Sequence, residues 1–224
     1  MRAVKRLSAV LMVVVFVLQG MATAADFSPK IGSKLSTRKV NKNPAMMVHV
    51  EQEAGEEELA HVTLGIPAGF RIPKDAQVED GDVLGSGEIF IEAGTACSPG
   101  PEGEIPASTQ VNLPATLVEA DRSDEEADAG VWAVWVLDIQ GVTEINLVVT
   151  GSPKRGFKLD GDIPPNNYTC PPFEFDLTID KKSEGGVAIL KNPRKAGRYV
   201  FSSKFESLDS GAVVTIKQAI KITR

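Results

Sequence analysis

The chain has 224 residues, with 24 Lys and Arg against 30 Asp and Glu, a formal charge of −6 at neutral pH. That balance opposes non-specific attraction to nucleic acid and to anionic membrane surfaces. Aromatic residues make up 6% of the chain, with no basic patch interleaved among them, which gives no stacking platform for single-stranded nucleic acid.

Residues 1–25 read as a cleaved secretory signal. Arg2, Lys5 and Arg6 form a positive start, Leu11 to Leu18 an unbroken apolar run, and Ala22-Thr23-Ala24 a small-residue cleavage pattern. The apolar run falls short of the roughly 20 residues that span a bilayer. Cleavage after Ala25 leaves a mature chain, 26–224, with 21 basic and 30 acidic residues, a charge of −9. No second apolar run of spanning length, no C-terminal hydrophobic anchor and no lipid-attachment Cys is encoded. The expected location is therefore secreted and extracellular.

The mature chain reads as a succession of strands. Ala45 to Gln52 and His61 to Ile66 are the first two, joined by an acidic connection in which Glu56 to Ala60 is expected to make one helical turn. Glu79-Asp80-Gly81-Asp82 is an acidic loop and Gly85-Ser86-Gly87 a flexible turn. Strands follow at Glu88 to Ala93 and Thr116 to Ala120, with the Pro/Gly-rich loop Cys97 to Pro106 between them.

Asp121 to Gly130 marks a shift in composition and a possible internal boundary. Val131 to Ile139 (VWAVWVLDI) is apolar on both faces, as a central strand covered on both sides would be. Gln140-Gly141 turns the chain into Glu144 to Thr150, where Ile145, Leu147 and Val149 alternate inward. Ser152 to Pro172 reads as loop. Phe173 to Asp180 (FEFDLTID) alternates without a break, Phe173, Phe175, Leu177 and Ile179 on one face. Asn43-Pro44 and Asn192-Pro193 are turn signals before strands. Arg198 to Glu206 sets Tyr199, Phe201 and Phe205 inward. Val214, Ile216, Ile220 and Ile222 share one face of the last strand.

Nine to eleven short strands between turns imply an all-β fold, an antiparallel Ig-like β-sandwich in one domain spanning 26–224. Asn43 to Ile72, Gly81 to Ala93 and Asn192 to Ile222 resemble exported actinobacterial Ig-like β-sandwich proteins. The shared features are strand alternation, turn prolines and the Ile-Pro-Ala-Gly-Phe strand ending. The resemblance implies an extracellular module and transfers no catalytic residue.

Cys97 and Cys170 are the two cysteines. In an oxidising compartment they are expected to form a disulfide, worth roughly 4 kcal/mol at most on chain-entropy grounds. Two buried thiols are the alternative, and their spacing matches neither a zinc motif nor a redox pair.

Site chemistry is sparse. His49 and His61 lie in strands, and their spacing specifies no metal-ligand set. A Ser–His–Asp enzyme would need one of them as its base, and no Gly-x-Ser-x-Gly elbow accompanies them. The acidic runs Glu79 to Asp82, Asp121 to Asp128 and Asp160-Gly161-Asp162 are loops able to offer oxygen ligands to calcium, with a solvated surface as the plainer reading. Asn167-Tyr168-Thr169 is a glycosylation sequon. Trp132 is a candidate platform for a sugar ring, unless it packs beneath a loop.

The expectation is a non-catalytic module for adhesion, scaffolding or binding to a protein or surface polymer, without cofactor or nucleic acid. The alternative is a secreted hydrolase or a calcium-dependent carbohydrate-binding module.

Overall fold

The computed structural model describes residues 27–53, 56–74, 77–93, 109–139, 143–164 and 173–224. The signal segment 1–25, Cys97, Cys170 and the Asn167 sequon lie outside these residues, as does the turn at 140–141.

Every ladder between the described strands is antiparallel, and one short helix accompanies them. The strands are β1 (Lys30–Leu35), β2 (Met46–Gln52), β3 (Leu59–Ile66), β4 (Val83–Ala93), β5 (Thr109–Ala120), β6 (Val131–Ile139), β7 (Thr143–Ser152), β8 (Gly156–Asp162), β9 (Phe173–Ile179), β10 (Gly197–Ser207) and β11 (Val213–Ile222). Helix α1 (Asp124–Asp128) joins β5 to β6. Among the described residues no helix is long and apolar enough to cross a membrane.

The all-β class and the expected strand number hold. Hydrogen bonding is continuous through one sheet, in the order β1-β2-β9-β4-β5-β6-β7-β8-β3-β10-β11. The two faces expected of a sandwich are thus parts of one curled sheet. Its central member is β6, the strand whose two apolar faces had marked it as central.

Alternation decides what faces inward. Val48, Val50, Ile89, Leu117, Trp135, Leu137, Ile145, Leu147, Leu159, Leu177 and Phe205 are buried and belong to a single core. The intervening residues, among them Lys34, Met47, Glu174, Asp176, Lys204 and Lys217, are exposed. β5 and β6 pair directly across residues 121–130, from Ala115↔Ile139 to Ala120↔Val134, and both contribute to that core.

Eleven antiparallel neighbours leave β1 and β11 pointing the same way, so the curled edges meet in parallel. They do not form a ladder of their own. The Gln218 side chain bridges the seam, its Oε1 accepting from the Ser33 N–H at 2.7 Å and its Nε2 donating to the Ser33 carbonyl at 2.9 Å. Beyond β1, a parallel bridge joins Lys39 to Thr223. There the Thr223 N–H donates to the Arg38 carbonyl at 2.7 Å, and the Val40 N–H donates to the Thr223 carbonyl at 2.9 Å.

Four local expectations are corrected. Gly85-Ser86-Gly87 is part of β4, because its glycines let that strand lie against β9. A Cβ at Gly87 would stand 2.5 Å from the Asp176 carbonyl oxygen, and one at Gly85 closer still to that of Thr178. Glu56 to Ala60 forms no helical turn, since Leu59 and Ala60 already belong to β3. The stretch read as loop after Ser152 contains β8, in which the buried Phe157 and Leu159 alternate with the exposed Lys158 and half-buried Asp160. β5 is longer than expected and includes Pro114, which is tolerated because pairing with β6 stops at Ala115.

One end of the sheet is capped. Phe70 and Ile72, from the β3–β4 connection, are buried there. The Phe70 ring packs edge-on to Tyr199 and Phe201, with centroids 5.6 and 5.2 Å away. The buried Asn192 ties the β9–β10 connection to the β1–β2 connection. Its Nδ2 donates to the carbonyls of Thr37 at 3.0 Å and Lys39 at 2.9 Å, and its N–H to that of Lys42 at 2.8 Å.

Candidate functional site

Both histidines lie on the outer face, each opposite a carboxylate of the next strand. His49 of β2 is in register with Asp176 of β9. Its Nδ1 is 3.0 Å from Asp176 Oδ1 and 3.6 Å from Glu174 Oε1. Among the described residues, His49, Glu174 and Asp176 are the one group of three such ligands with atoms all within 4.8 Å of one another.

His61 of β3 faces Asp162 of β8 in the same way. Here the carboxylates sit at different ring nitrogens, Asp162 Oδ1 at 2.7 Å from Nδ1 and Asp160 Oδ1 at 3.7 Å from Nε2. Thr63 Oγ1 lies 3.3 Å from His61 Nε2, which superficially completes a hydroxyl–imidazole–carboxylate row. That hydroxyl donates instead to Asp160 Oδ1 at 2.6 Å, and Asp162 is 95% exposed. A nucleophile needs its proton directed at the base and a sheltered site for the reaction, and neither condition is met.

Of the three acidic runs, Glu79 to Asp82 is a loop as expected, and the other two are placed differently. Asp121 to Asp128 is not an open loop but contains α1, started by a capping box. Ser123 Oγ accepts the Glu126 N–H, and Glu126 Oε2 accepts the Ser123 N–H at 2.8 Å. The Ser123 hydroxyl, followed by its backbone N–H, holds the Glu126 carboxyl below its ordinary pKa. Asp160 and Asp162 lie in β8, with Gly161 facing inward between them at the side chain of Leu147. In the connection at Glu79 to Asp82, Asp80 Oδ1 accepts the Asp121 N–H at 3.1 Å and Asp82 Oδ2 the Gly185 N–H at 3.2 Å. These two carboxylates hold neighbouring backbone in place.

Trp132 is not an open platform for a sugar. A register shift between Val131 and Ala133 makes it the extra residue of a bulge. Its ring packs edge-on against the buried Phe157 at 5.3 Å, and Lys74 Nζ stands 5.0 Å from the ring centroid. The indole N–H donates to the carbonyls of Pro73 at 2.8 Å and Ile72 at 3.2 Å. The tryptophan therefore anchors the capping connection.

At the opposite end, Glu57 is a buried carboxylate. It accepts hydrogen bonds from the Ser207 and Ser210 hydroxyls, which outweigh burial and hold its pKa below the ordinary value. Nearby, Lys30 bonds Glu53, raising the lysine pKa and lowering that of the carboxyl.

Volume separates core from surface sites. The void inside the sheet, lined by Val50, Leu64, Ile139, Phe175 and other apolar side chains, measures about 80 Å³. Small-molecule pockets run to about 300–1,000 Å³, so this void is a gap in a packed core.

A recess of about 500 Å³ lies instead at the capped end, lined by Ser36, Thr37, Lys39, Lys42, Asn43, Lys181 and Lys182. The four lysines are exposed, and none has an ion-pair partner among the described residues. The two connections that build the recess, 36–45 and 180–196, carry eight basic residues against two acidic ones in a chain that is acidic overall. A second depression of about 390 Å³, bounded by Arg155 and Lys158, lies where glycines thin the sheet. These lysines occur in two short runs far apart in the chain, brought together by the Asn192 hydrogen bonds and by the Asn41 N–H donating to the Pro193 carbonyl at 3.1 Å, so no local pattern marks them as a group. Comparison with protein-family models and with curated proteins finds no match to this chain.

Proposed function

We propose that the chain is an exported, non-catalytic module that holds an anionic surface polymer in the lysine recess at its capped end. Export is read from the leader-like segment at 1–25. The observation that carries the binding role is the convergence of Lys39, Lys42, Lys181 and Lys182 on one concavity without carboxylate partners. Neutralising such a group is favourable for a polyanion, and lysine recognises it by charge rather than by a fixed fork geometry. Ser36 and Thr37 add hydroxyl donors at the rim. The overall negative charge keeps unrelated anionic surfaces away, which concentrates attraction at this one end.

The test is fluorescence polarisation with labelled polyphosphate, using neutral dextran as control. Polyphosphate binding should weaken as salt rises. The double variant Lys39→Gln, Lys182→Gln should bind about tenfold more weakly while keeping the parent's melting temperature, since exposed lysines add little to stability. Equal binding by parent and double variant, or binding insensitive to salt, overturns the proposal.

A further inference from the structure

The outer face of β2, β9 and β4 carries an arrangement that the lysine recess does not use. We propose that His49, Asp176 and Glu174 form a site for a divalent first-row metal ion of the zinc type.

Three observations converge on it. The first is the aim of the ligands. Both carboxylates approach one nitrogen, His49 Nδ1, at 3.0 and 3.6 Å. A tetrahedral ion with bonds of about 2.0–2.1 Å sets its ligand atoms about 3.3 Å apart, so sub-ångström movements would admit the ion. His61 supplies the contrast within the same molecule. Its two carboxylates lie at opposite ring nitrogens, and no single ion can reach both through one of them.

The second is charge. The register places Glu51 directly opposite Glu174, and Glu88 directly opposite Asp176. Like charges facing one another across strands are destabilising. Lys30 approaches Glu51 at 3.7 Å but is hydrogen-bonded to Glu53. Asn112 Nδ2 reaches Glu88 Oε2 at the limiting distance of 3.5 Å. A dication at His49 would offset both facing pairs.

The third is rigidity. The ligands project from the middle of a ladder that runs without a register shift from Met46↔Ile179 to Gln52↔Phe173. Backbone held in this way keeps the donors in place before the ion arrives. One imidazole with two carboxylates suits zinc or its neighbours, whereas calcium takes six to eight oxygens. Three protein ligands on an exposed face leave a fourth position to water.

The experiment uses tag-free purified chain. Zn²⁺ is titrated calorimetrically, and Co²⁺ is followed by its visible absorption, which reports direct ligation. The expected result is one ion per chain at micromolar affinity, with a rise in melting temperature that EDTA reverses. His49→Ala should weaken binding at least tenfold and remove the Co²⁺ band, while His61→Ala leaves both unchanged. Glu174→Gln provides a second lesion if the alanine variant is poorly folded, and melting in EDTA checks folding for each. Absence of saturable one-to-one binding, retention of it in both His49→Ala and Glu174→Gln, or equal loss in His61→Ala overturns the proposal. None of these outcomes depends on polyphosphate binding at the capped end.

Discussion

Replacing Gln218 with alanine should open the seam between β1 and β11. The amide satisfies both main-chain groups of Ser33, a residue only 6% exposed, at 2.7 and 2.9 Å. Truncation strips one donor and one acceptor of their partner. Each such group costs about 1–3 kcal/mol when kept from water. Gln218 is itself half-buried, so water reaches the gap and the low end applies, about 2 kcal/mol in all. For a domain of this size that corresponds to a fall in melting temperature of about 4–8 °C. Equilibrium urea unfolding gives the free energy, and hydrogen exchange of the Ser33 amide gives the location. Lys217→Ala, on the outer face of the same strand, should change stability by less than about 0.5 kcal/mol. Gln218→Glu keeps the acceptor for the Ser33 N–H but sets a carboxylate against the Ser33 carbonyl. It should be at least as destabilising at neutral pH and recover partly in acid, when the carboxyl can donate. A Gln218→Ala variant with parental stability and unchanged Ser33 protection would refute this account of the seam.

Two further expectations concern the ends of the sheet. Glu57 has a lowered pKa in the folded chain because the Ser207 and Ser210 hydroxyls donate to it. Its contribution to stability is therefore present above the ordinary carboxylate range and is lost as pH falls through the folded value. Glu57→Gln should flatten the acid limb of a stability–pH curve measured by urea unfolding, and an unchanged limb would dismiss the role. Trp132→Phe removes the donor to the Pro73 and Ile72 carbonyls and should cost about 1 kcal/mol in thermal or urea unfolding. It should also raise proteolytic nicking within the β3–β4 connection, and parental nicking would argue that the indole N–H does not hold that connection.

Patterns that depend on neighbours in sequence were legible. FEFDLTID became β9 with its apolar face inward, and VWAVWVLDI became the middle strand of the sheet. Most of what failed depended on contacts remote in the chain, although the capping box of α1 and the alternation of β8 are local signals. Gly85 and Gly87 look like a turn until β9 lies against them and requires their missing side chains. Trp132 falls on the wrong face of an unbroken alternation, because a bulge cannot be read from apolar spacing. His49 and Asp176, 127 positions apart, become neighbours only through strand register, and register is not encoded in either strand alone. The same holds for the lysine recess, assembled from two connections that sequence separates.

The strand order also sets a timetable. β4 to β8 form a meander in which each strand from β5 onward pairs with the one made just before it. On loop-closure grounds this meander is the part that assembles from local contacts. The sheet then grows outward on both flanks. β9 joins β4 and only then offers an edge to β2 and through it to β1, while β3 must wait for β8 before it can receive β10 and β11. The first strands to be synthesised, β1 and β2, can pair with each other as a hairpin but are among the last to join the sheet. The β1–β2 hairpin, although made first, therefore has no place in the sheet until residues 173–179 exist to receive it, so the edge that β1 brings to the seam is completed only late in synthesis.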